Sequence, residues 1–290
     1  HDRRPSMKDP VSLDALPVRP LRTAVVQNAA RPLDVAANAQ ETAARCERAA
    51  AQGARLVVLP ELHLTAYDVR GLMDAPASAV LSADGARRVT DRRIAPLADA
   101  TVRHRVTVVV GAPVRHPDGR LTNSLLAVTP DGAVTALYDK RHLWQDTEAA
   151  LFTPGTGDPA TLTVDGWRLA PGVCYDMSFP EHARAAALSG AHAVLYASAF
   201  AAGTEHRAAV YCRARALENT VYTVFANPLD GPSGRPCEGA SAIHAPDGTT
   251  LAEAAPGEDT VLVADLTPGR LADVRRHLRM LAELRTSAPA

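Results

Sequence analysis

Three kinds of side chain in this sequence could together perform acyl transfer: a thiol, an ammonium and carboxylates, each set where an apolar run gives out. Cys174 lies in Gly166–Arg184 (GWRLAPGVCYDMSFPEHAR), directly after Trp167–Val173, which reads as a short buried strand. Pro180 then opens a helix whose first turn carries Glu181, since the N–H that proline lacks has no intrahelical partner there. A thiol in that setting meets outward-pointing backbone N–H groups and the positive end of a helix dipole. Both should lower its pKa and favour the thiolate. The competing reading is a small buried hydrophobe, the usual role of a free cysteine.

Glu61 closes a second apolar run in LPELHLTAYD, Lys140 follows a third in ALYDKRHLW, and Glu148 comes shortly after in TEAALFTPG. A base, a cation and a nucleophile at strand ends are what a cysteine hydrolase without a catalytic histidine requires. Taken singly, each is equally a solvated edge residue. His63, His142 and His182 stand in no HExxH or His-x-His arrangement. Cys46, Cys212 and Cys237 are spaced too widely for a zinc site or a disulfide framework.

The elements that must hold these groups alternate at first. Arg22–Asn28 reads as a strand, and Asp34 then caps a helix whose Val35, Ala39, Thr42, Cys46 and Ala49 recur at helical spacing up to Gly53. Arg55–Leu59 is a second strand, and a helix that Pro96 opens or breaks ends near Arg105. Val106–Ala112, Asn123–Val128 and Val134–Tyr138 are strands, the last two parted by the Pro130–Gly132 turn. After Cys174 come an Ala-rich helix to Gly190, a strand at Ala193–Ala197, a helix from a Thr204 cap towards Asn219, and a strand at Val221–Ala226. Ala240–Ala245 and Thr260–Leu266 read as strands joined across the Pro246–Gly248 turn region. This mixture predicts one α/β domain of layered sheets with helices outside, not a purely parallel doubly wound sheet.

Residues 1–20, rich in proline and charge, read as a flexible N-terminal arm, with His1–Ser6 a tag remnant ahead of a start at Met7. Residues 267–290 read as a C-terminal helix and tail. Leu271, Val274, Leu278, Leu281 and Leu284 form one stripe there, flanked by Arg270, Arg275, Arg276, Arg279 and Arg285, which either this domain or a partner subunit must cover. A balance of 31 basic against 32 acidic residues removes any bulk attraction to nucleic acid or a membrane surface. No apolar run nears the roughly 18 residues of a membrane span, and HDRRPSMKDP lacks a signal peptide's apolar core. A reducing cytoplasm is the expected compartment.

With these motifs in view, the chain resembles the nitrilase superfamily of carbon–nitrogen hydrolases, in its amidase-like branch. The stretches that carry the resemblance are PELHLTAYD (60–68), YDKRHLW (138–144), EAALFTPG (148–155) and GVCYDMSFPE (172–181). RARALENTVYTVFAN (213–227) and GASAIHAPDGTTLAEA (239–254) follow in the family's order. The resemblance implies a four-layer α-β-β-α sandwich over a hydrolase domain at 21–266, a fold that commonly pairs into homodimers or larger assemblies through its helices. It implies Cys174 as nucleophile, Glu61 as general base and Lys140 as third member of a Glu-Lys-Cys triad. Glu148 falls at the family's second glutamate, holding Lys140 or the leaving amine in register. Tyr175 would offer a backbone N–H to the oxyanion, and Tyr67 and Ser178 would face the substrate. No metal or organic cofactor is implied, the histidines have no part, and Glu181 is left to oppose the helix dipole.

The implied reaction is hydrolysis of a small linear, primary aliphatic amide through a Cys174 thioester. An N-carbamoyl amine hydrolase with the same triad is the alternative, and a catalytically silent scaffold of the same fold is the non-enzyme reading. A nucleotide-binding module would need a glycine-rich strand-to-helix loop that the chain lacks. Cys174-Tyr175-Asp176 resembles amidases and carbamoylases, where nitrile-hydrolysing relatives read Cys-Trp-Glu. Met177 and Ser178 stand where hydrolases of carbamoyl amino acids place an arginine to clamp a carboxylate, so a neutral or cationic tail is expected. Pro171 also departs from expectation, since it removes a ladder donor from the strand before the nucleophile.

Overall fold

The computed structural model of the protein describes residues 15–75, 77–232 and 234–287; the expected tag remnant and the start at Met7 lie outside the described residues. Strand β1 (Leu21–Gln27) leads to Asp34, whose carboxylate accepts the Ala37 N–H at 3.0 Å and caps α1 (Val35–Ala51). Next come β2 (Leu56–Val58), α2 (Val69–Met73), β3 (Leu81–Ser82), α3 (Ala95–His104), β4 (Thr107–Arg115), β5 (Leu121–Val128) and β6 (Val134–Asp139). Then α4 (Gln145–Leu151), β7 (Leu162–Val164), β8 (Trp167–Val173), α5 (Pro180–Leu188), β9 (Ala193–Ala197), α6 (Glu205–Asn219) and β10 (Tyr222–Ala226) follow. The chain closes with β11 (Ala242–His244), β12 (Thr250–Glu253), β13 (Thr260–Leu266), α7 (Pro268–His277) and α8 (Met280–Ser287).

One sheet runs β13-β1-β2-β4-β5-β6 with β3 beside β4, and the other runs β12-β11-β10-β9-β8-β7. Every residue of β2 and of β9 is buried, which is why both read as unbroken apolar runs and not as alternation. Val25, Val58, Val109, Trp167, Leu195 and Val224 fill the space between the sheets. Ala39, Cys46, Leu97 and Val108 seal α1 and α3 onto the first sheet, and Ala187, Ala208, Cys212 and Tyr196 seal α5 and α6 onto the second. The result is the four-layer α-β-β-α sandwich. Each of the buried valine and leucine side chains among these contributes about 1.5–3 kcal/mol, and each alanine less. No helix among the described residues is long and apolar enough to cross a membrane.

The structure departs from expectation at several elements. The Pro246–Gly248 turn joins β11 to β12, not to β13; β13 crosses to the other sheet and pairs antiparallel with β1 from Leu21↔Leu266 to Gln27↔Thr260. The C-terminal stripe forms two helices, broken at an extended Leu278. Leu271 is buried between the sheets while Leu281 packs outside the second sheet, and a straight helix cannot reach two layers. The end of the expected arm is tied down: Ala15 O accepts from His192 Nε2 at 2.9 Å, and Arg19 O accepts from Trp167 Nε1 at 2.8 Å. Pro171 lies beyond the stretch of β8 that β7 pairs, so the strand has only β9 as neighbour there.

Both sheets deliver strand ends to one place. The Glu61 N–H, just past β2, donates to Ser198 O, just past β9, at 3.3 Å. Gly111 makes that passage possible. A Cβ there would lie 2.3 Å from Leu62 N, 2.6 Å from Pro60 O and 2.8 Å from Glu61 C, so only glycine lets the Glu61 segment cross β4. Gly155 does the same beside Lys140, where a Cβ would stand 2.1 Å from Asp139 O.

Candidate active site

Lys140 extends from the end of β6 into the interior and is fully buried between two carboxylates. Its Nζ donates to Glu61 Oε1 at 2.7 Å and to both oxygens of Glu148 at 2.9 Å. Glu148 comes from α4, a helix that the sequence reading did not foresee. Asn123 on β5 completes the set, its Nδ2 donating to Glu61 Oε1 at 2.8 Å and Glu148 Oε1 at 3.1 Å. The Trp144 N–H adds a 2.7 Å bond to Glu148 Oε2. Asn123 was missed because an asparagine inside an apolar strand carries no spacing signal.

The donors are shared unevenly. Glu148 receives bonds from Lys140, Asn123 and Trp144 on both oxygens, whereas Glu61 receives them on Oε1 alone. Glu61 Oε2 is buried with no hydrogen-bond partner among the described residues. Burial pushes the Glu61 carboxyl up to about 7, with the charge of Glu148 adding and that of Lys140 opposing. Burial alone would lower Lys140, but the two carboxylates outweigh it and hold the ammonium above its ordinary value.

Cys174 opens a five-residue 3₁₀ turn, Cys174–Ser178, at φ 46°, in the left-handed region that non-glycine residues avoid. The expectation of a lowered thiol pKa is overturned. Desolvation first and the Glu61 charge second hold the thiol well above its ordinary value, against the pull of Lys140 and the Ala199 N–H. The helix dipole invoked from sequence belongs to α5, which begins only at Pro180. Desolvation and the Glu61 charge both favour the neutral thiol of Cys174.

Asp176, also missed, builds the turn. This buried carboxylate accepts from the Val173 N–H at 2.9 Å, the Tyr138 hydroxyl at 2.7 Å, and the His142 N–H and Nδ1 at 3.0 and 2.8 Å. Burial opposes its charge, yet the His142 bond and the other donors keep it below the usual carboxylate range. The histidines are thereby accounted for. His142 holds Asp176, His182 Nε2 meets the Tyr138 hydroxyl at 3.1 Å, and burial drives His63 down to about 4, leaving it neutral. A cleft of about 270 Å³ is lined by Tyr138, His142 and His182 but by none of Glu61, Lys140, Glu148 or Cys174, and so is separate from the Lys140 cluster.

The residues expected to face substrate divide. Tyr67 sits within reach of the charges of Glu61, Glu148 and Cys174, which together with the larger effect of desolvation raise its hydroxyl. The half-buried Tyr175 turns its ring against Trp144 and Phe179, both at 5.0 Å between centroids. Ser178 ends the turn, its carbonyl directed to Arg215. Among the described residues no group of three or more His, Cys, Asp or Glu is arranged to hold a metal ion.

Comparison with known proteins finds similar chains. The profile described as carbon-nitrogen hydrolase matches residues 22–276. A hydrolase of the pqqF 5′ region in Pseudomonas protegens is 35% identical over 85% of this chain and 82% of its own length. The deaminated glutathione amidase of Escherichia coli O157:H7 is 32% identical over 87% of this chain and 93% of its own. Among solved structures, the nitrilase-superfamily amidase of Nesterenkonia AN1 superposes with a TM-score of 0.76 at 31% identity, covering 93% of this chain and 98% of that one. In another structure of that amidase, at TM-score 0.76, 30% identity and 93% and 97% coverage, the acetamide moiety of fluoroacetamide is added covalently at its active-site cysteine.

Two outcomes follow from the site itself. Lys140→Met should cut kcat/KM by about 10²–10³-fold, as loss of a buried transition-state charge does, while Arg141→Met should stay within about threefold. The Arg141 side chain instead reaches the Gly157 carbonyl. Comparable losses in two variants of matched thermal stability would remove Lys140 from the machinery. Because Glu61 must be ionised to take the thiol proton, kcat/KM should fall about tenfold per unit as pH drops below about 7. An acid limb centred instead on the ordinary glutamate range would show that Glu61 is not the titrating base.

Proposed function

The chain belongs to the carbon–nitrogen hydrolase family, and on that premise we propose that it hydrolyses a small linear, primary aliphatic amide to its acid and ammonia through a Cys174 thioester. One observation carries this reading: the Lys140 cluster leaves a single carboxylate oxygen, Glu61 Oε2, unpartnered beside a neutral thiol. Glu61 takes the Cys174 proton as sulfur attacks the amide carbon. Lys140 stabilises the oxyanion by its charge and, once Glu61 is protonated and pulls less strongly, with the N–H it had spent there. The Tyr175 N–H is the second donor. Glu61 passes its proton to the departing nitrogen, ammonia leaves, and the thioester remains. Glu61 then deprotonates a water that attacks the thioester, releasing the acid and restoring the thiol.

A neutral or cationic tail is part of this reading, because Met177 and Ser178 stand where an arginine would clamp a carboxylate. Glu205, in the first turn of α6, keeps Oε1 inaccessible and without a donor among the described residues. The nearby Arg207 lies over the Trp144 and Phe200 rings, at 5.9 and 5.6 Å from their centroids.

A second copy of the chain is part of the reading. Val210 and Leu217 on α6 and Leu284 on α8 remain 65%, 43% and 45% exposed, leaving an apolar outer face for a homodimer to cover. Light scattering at micromolar concentration should report a dimer or larger species, and a monomer alone would remove this part. For the chemistry, kcat/KM should favour 5-aminopentanamide and butyramide over glutaramate, an N-carbamoyl amino acid and butyronitrile. A slow substrate should leave its acyl mass on the Cys174 peptide, and Cys174→Ala should abolish turnover. Preference for the nitrile or a carboxylate-bearing compound would overturn the substrate class, and an acyl mass on Cys212 or Cys237 would overturn the nucleophile.

A further inference from the structure

The turn carrying Cys174 is strained at its first residue, and a strained residue persists only where its surroundings hold it. Asp176 ties the front of the turn through the Val173 N–H. The rear of the turn is tied from another layer. Arg215, on the inner face of α6 and only 6% exposed, donates from Nε to Met177 O at 2.9 Å and reaches Ser178 O with Nη2 at 3.5 Å. Its Nη1 donates to Glu218 Oε1 at 2.9 Å, one turn along the same helix, and its guanidinium lies 5.6 Å from the Tyr211 ring centroid. A buried guanidinium is costly unless its donors are used. Here two of its nitrogens serve the last two carbonyls of the nucleophile's own turn.

We propose that Arg215 is a positioning residue for the nucleophile: from α6 it pins the Met177 and Ser178 carbonyls, and with Asp176 it holds Cys174 left-handed, with its sulfur next to Glu61. This rests on Cys174 being the nucleophile. The planar fork of arginine can serve two adjacent carbonyls at fixed separation, which a lysine ammonium cannot do with the same rigidity. Without the fork the rear of the turn is free to unwind. Cys174 can then relax out of its left-handed conformation, and the sulfur turns away from the base. The turn carries the attacking sulfur and the Tyr175 N–H assigned to the oxyanion, while Tyr67 stands on another segment, so the loss falls chiefly on kcat.

The test compares Arg215→Met, Arg215→Lys and Glu218→Gln by thermal melting, by kcat and KM on butyramide, and by the rate of Cys174 alkylation with iodoacetamide across pH. Arg215→Met should lose about 10²-fold in kcat with KM within about threefold, as a displacement of about 1 Å at a reacting group does. Alkylation of Cys174 should slow and its pH profile shift. Arg215→Lys should recover part of both, and Glu218→Gln should stay near wild type, because the fork still reaches its carbonyls. A folded Arg215→Met with wild-type kcat and alkylation overturns the proposal, as does a kcat loss that only tracks melting temperature while alkylation is unchanged. Should Arg215→Met fail to fold, wild-type kcat and alkylation in Arg215→Lys overturn it. Alkylation reports on the turn without any amide, so a wrong substrate class leaves that arm intact. Turnover surviving in Cys174→Ala would instead overturn the nucleophile on which the proposal rests.

Discussion

The candidate site is built around one buried ammonium. Lys140 is fully enclosed, and so are the two carboxylates it meets. A buried charge costs several kcal/mol unless it is paired and hydrogen-bonded. Three carboxylate contacts meet that demand for Lys140 but leave two acids around one base. The excess negative charge must be carried somewhere, and the donors decide where. Glu148 is bonded on both oxygens, so its charge is held in place. Glu61 keeps one oxygen bare, and burial raises it to about 7. Two residues of nearly identical chemistry are thus given different tasks by the number of N–H groups aimed at them.

The same enclosure acts on Cys174, the proposed nucleophile. A thiolate beside Glu61 would add a further negative charge to the cluster, and desolvation holds Cys174 protonated. Raising Glu61 towards neutrality narrows the gap its carboxylate must bridge to take the thiol proton. The raised thiol keeps that transfer uphill, so in the proposed reaction it accompanies the attack of sulfur on the amide carbon. The left-handed Cys174, the Asp176 hub and the Arg215 fork are the mechanical side of this arrangement: they fix the sulfur against a base that cannot itself move without breaking its bond to Lys140.

The sandwich exists to bring these groups together from both sheets. Lys140, Glu61 and Asn123 belong to the first sheet and its loops, Cys174 and Asp176 to the end of β8 in the second, and Glu148 to a helix at the junction. Apolar packing between the sheets supplies the rigidity, and Gly111 and Gly155 remove the Cβ atoms that would keep the backbones apart.

How much of this was legible in the sequence follows from range. Local signals came through: the Asp34 cap, the unbroken apolar runs of β2 and β9, and proline at the start of α5 are dictated by neighbours within a few residues. Ordered motifs also singled out Glu61, Lys140, Glu148 and Cys174, three of them directly past an apolar strand and Glu148 in the helix that follows Lys140. What the sequence could not specify were the partners. That Asn123 joins the two glutamates, that Asp176 gathers the Val173 and His142 N–H groups with the Tyr138 hydroxyl, and that Arg215 reaches Met177 and Ser178 are contacts across layers. The crossing of β13 to β1 and the break at Leu278 are likewise set by which layer has an apolar surface to cover. Even the sign of the Cys174 shift was a tertiary result. Chain-local reasoning sees a helix dipole, whereas desolvation and a facing carboxylate exist only once both sheets have closed over the thiol.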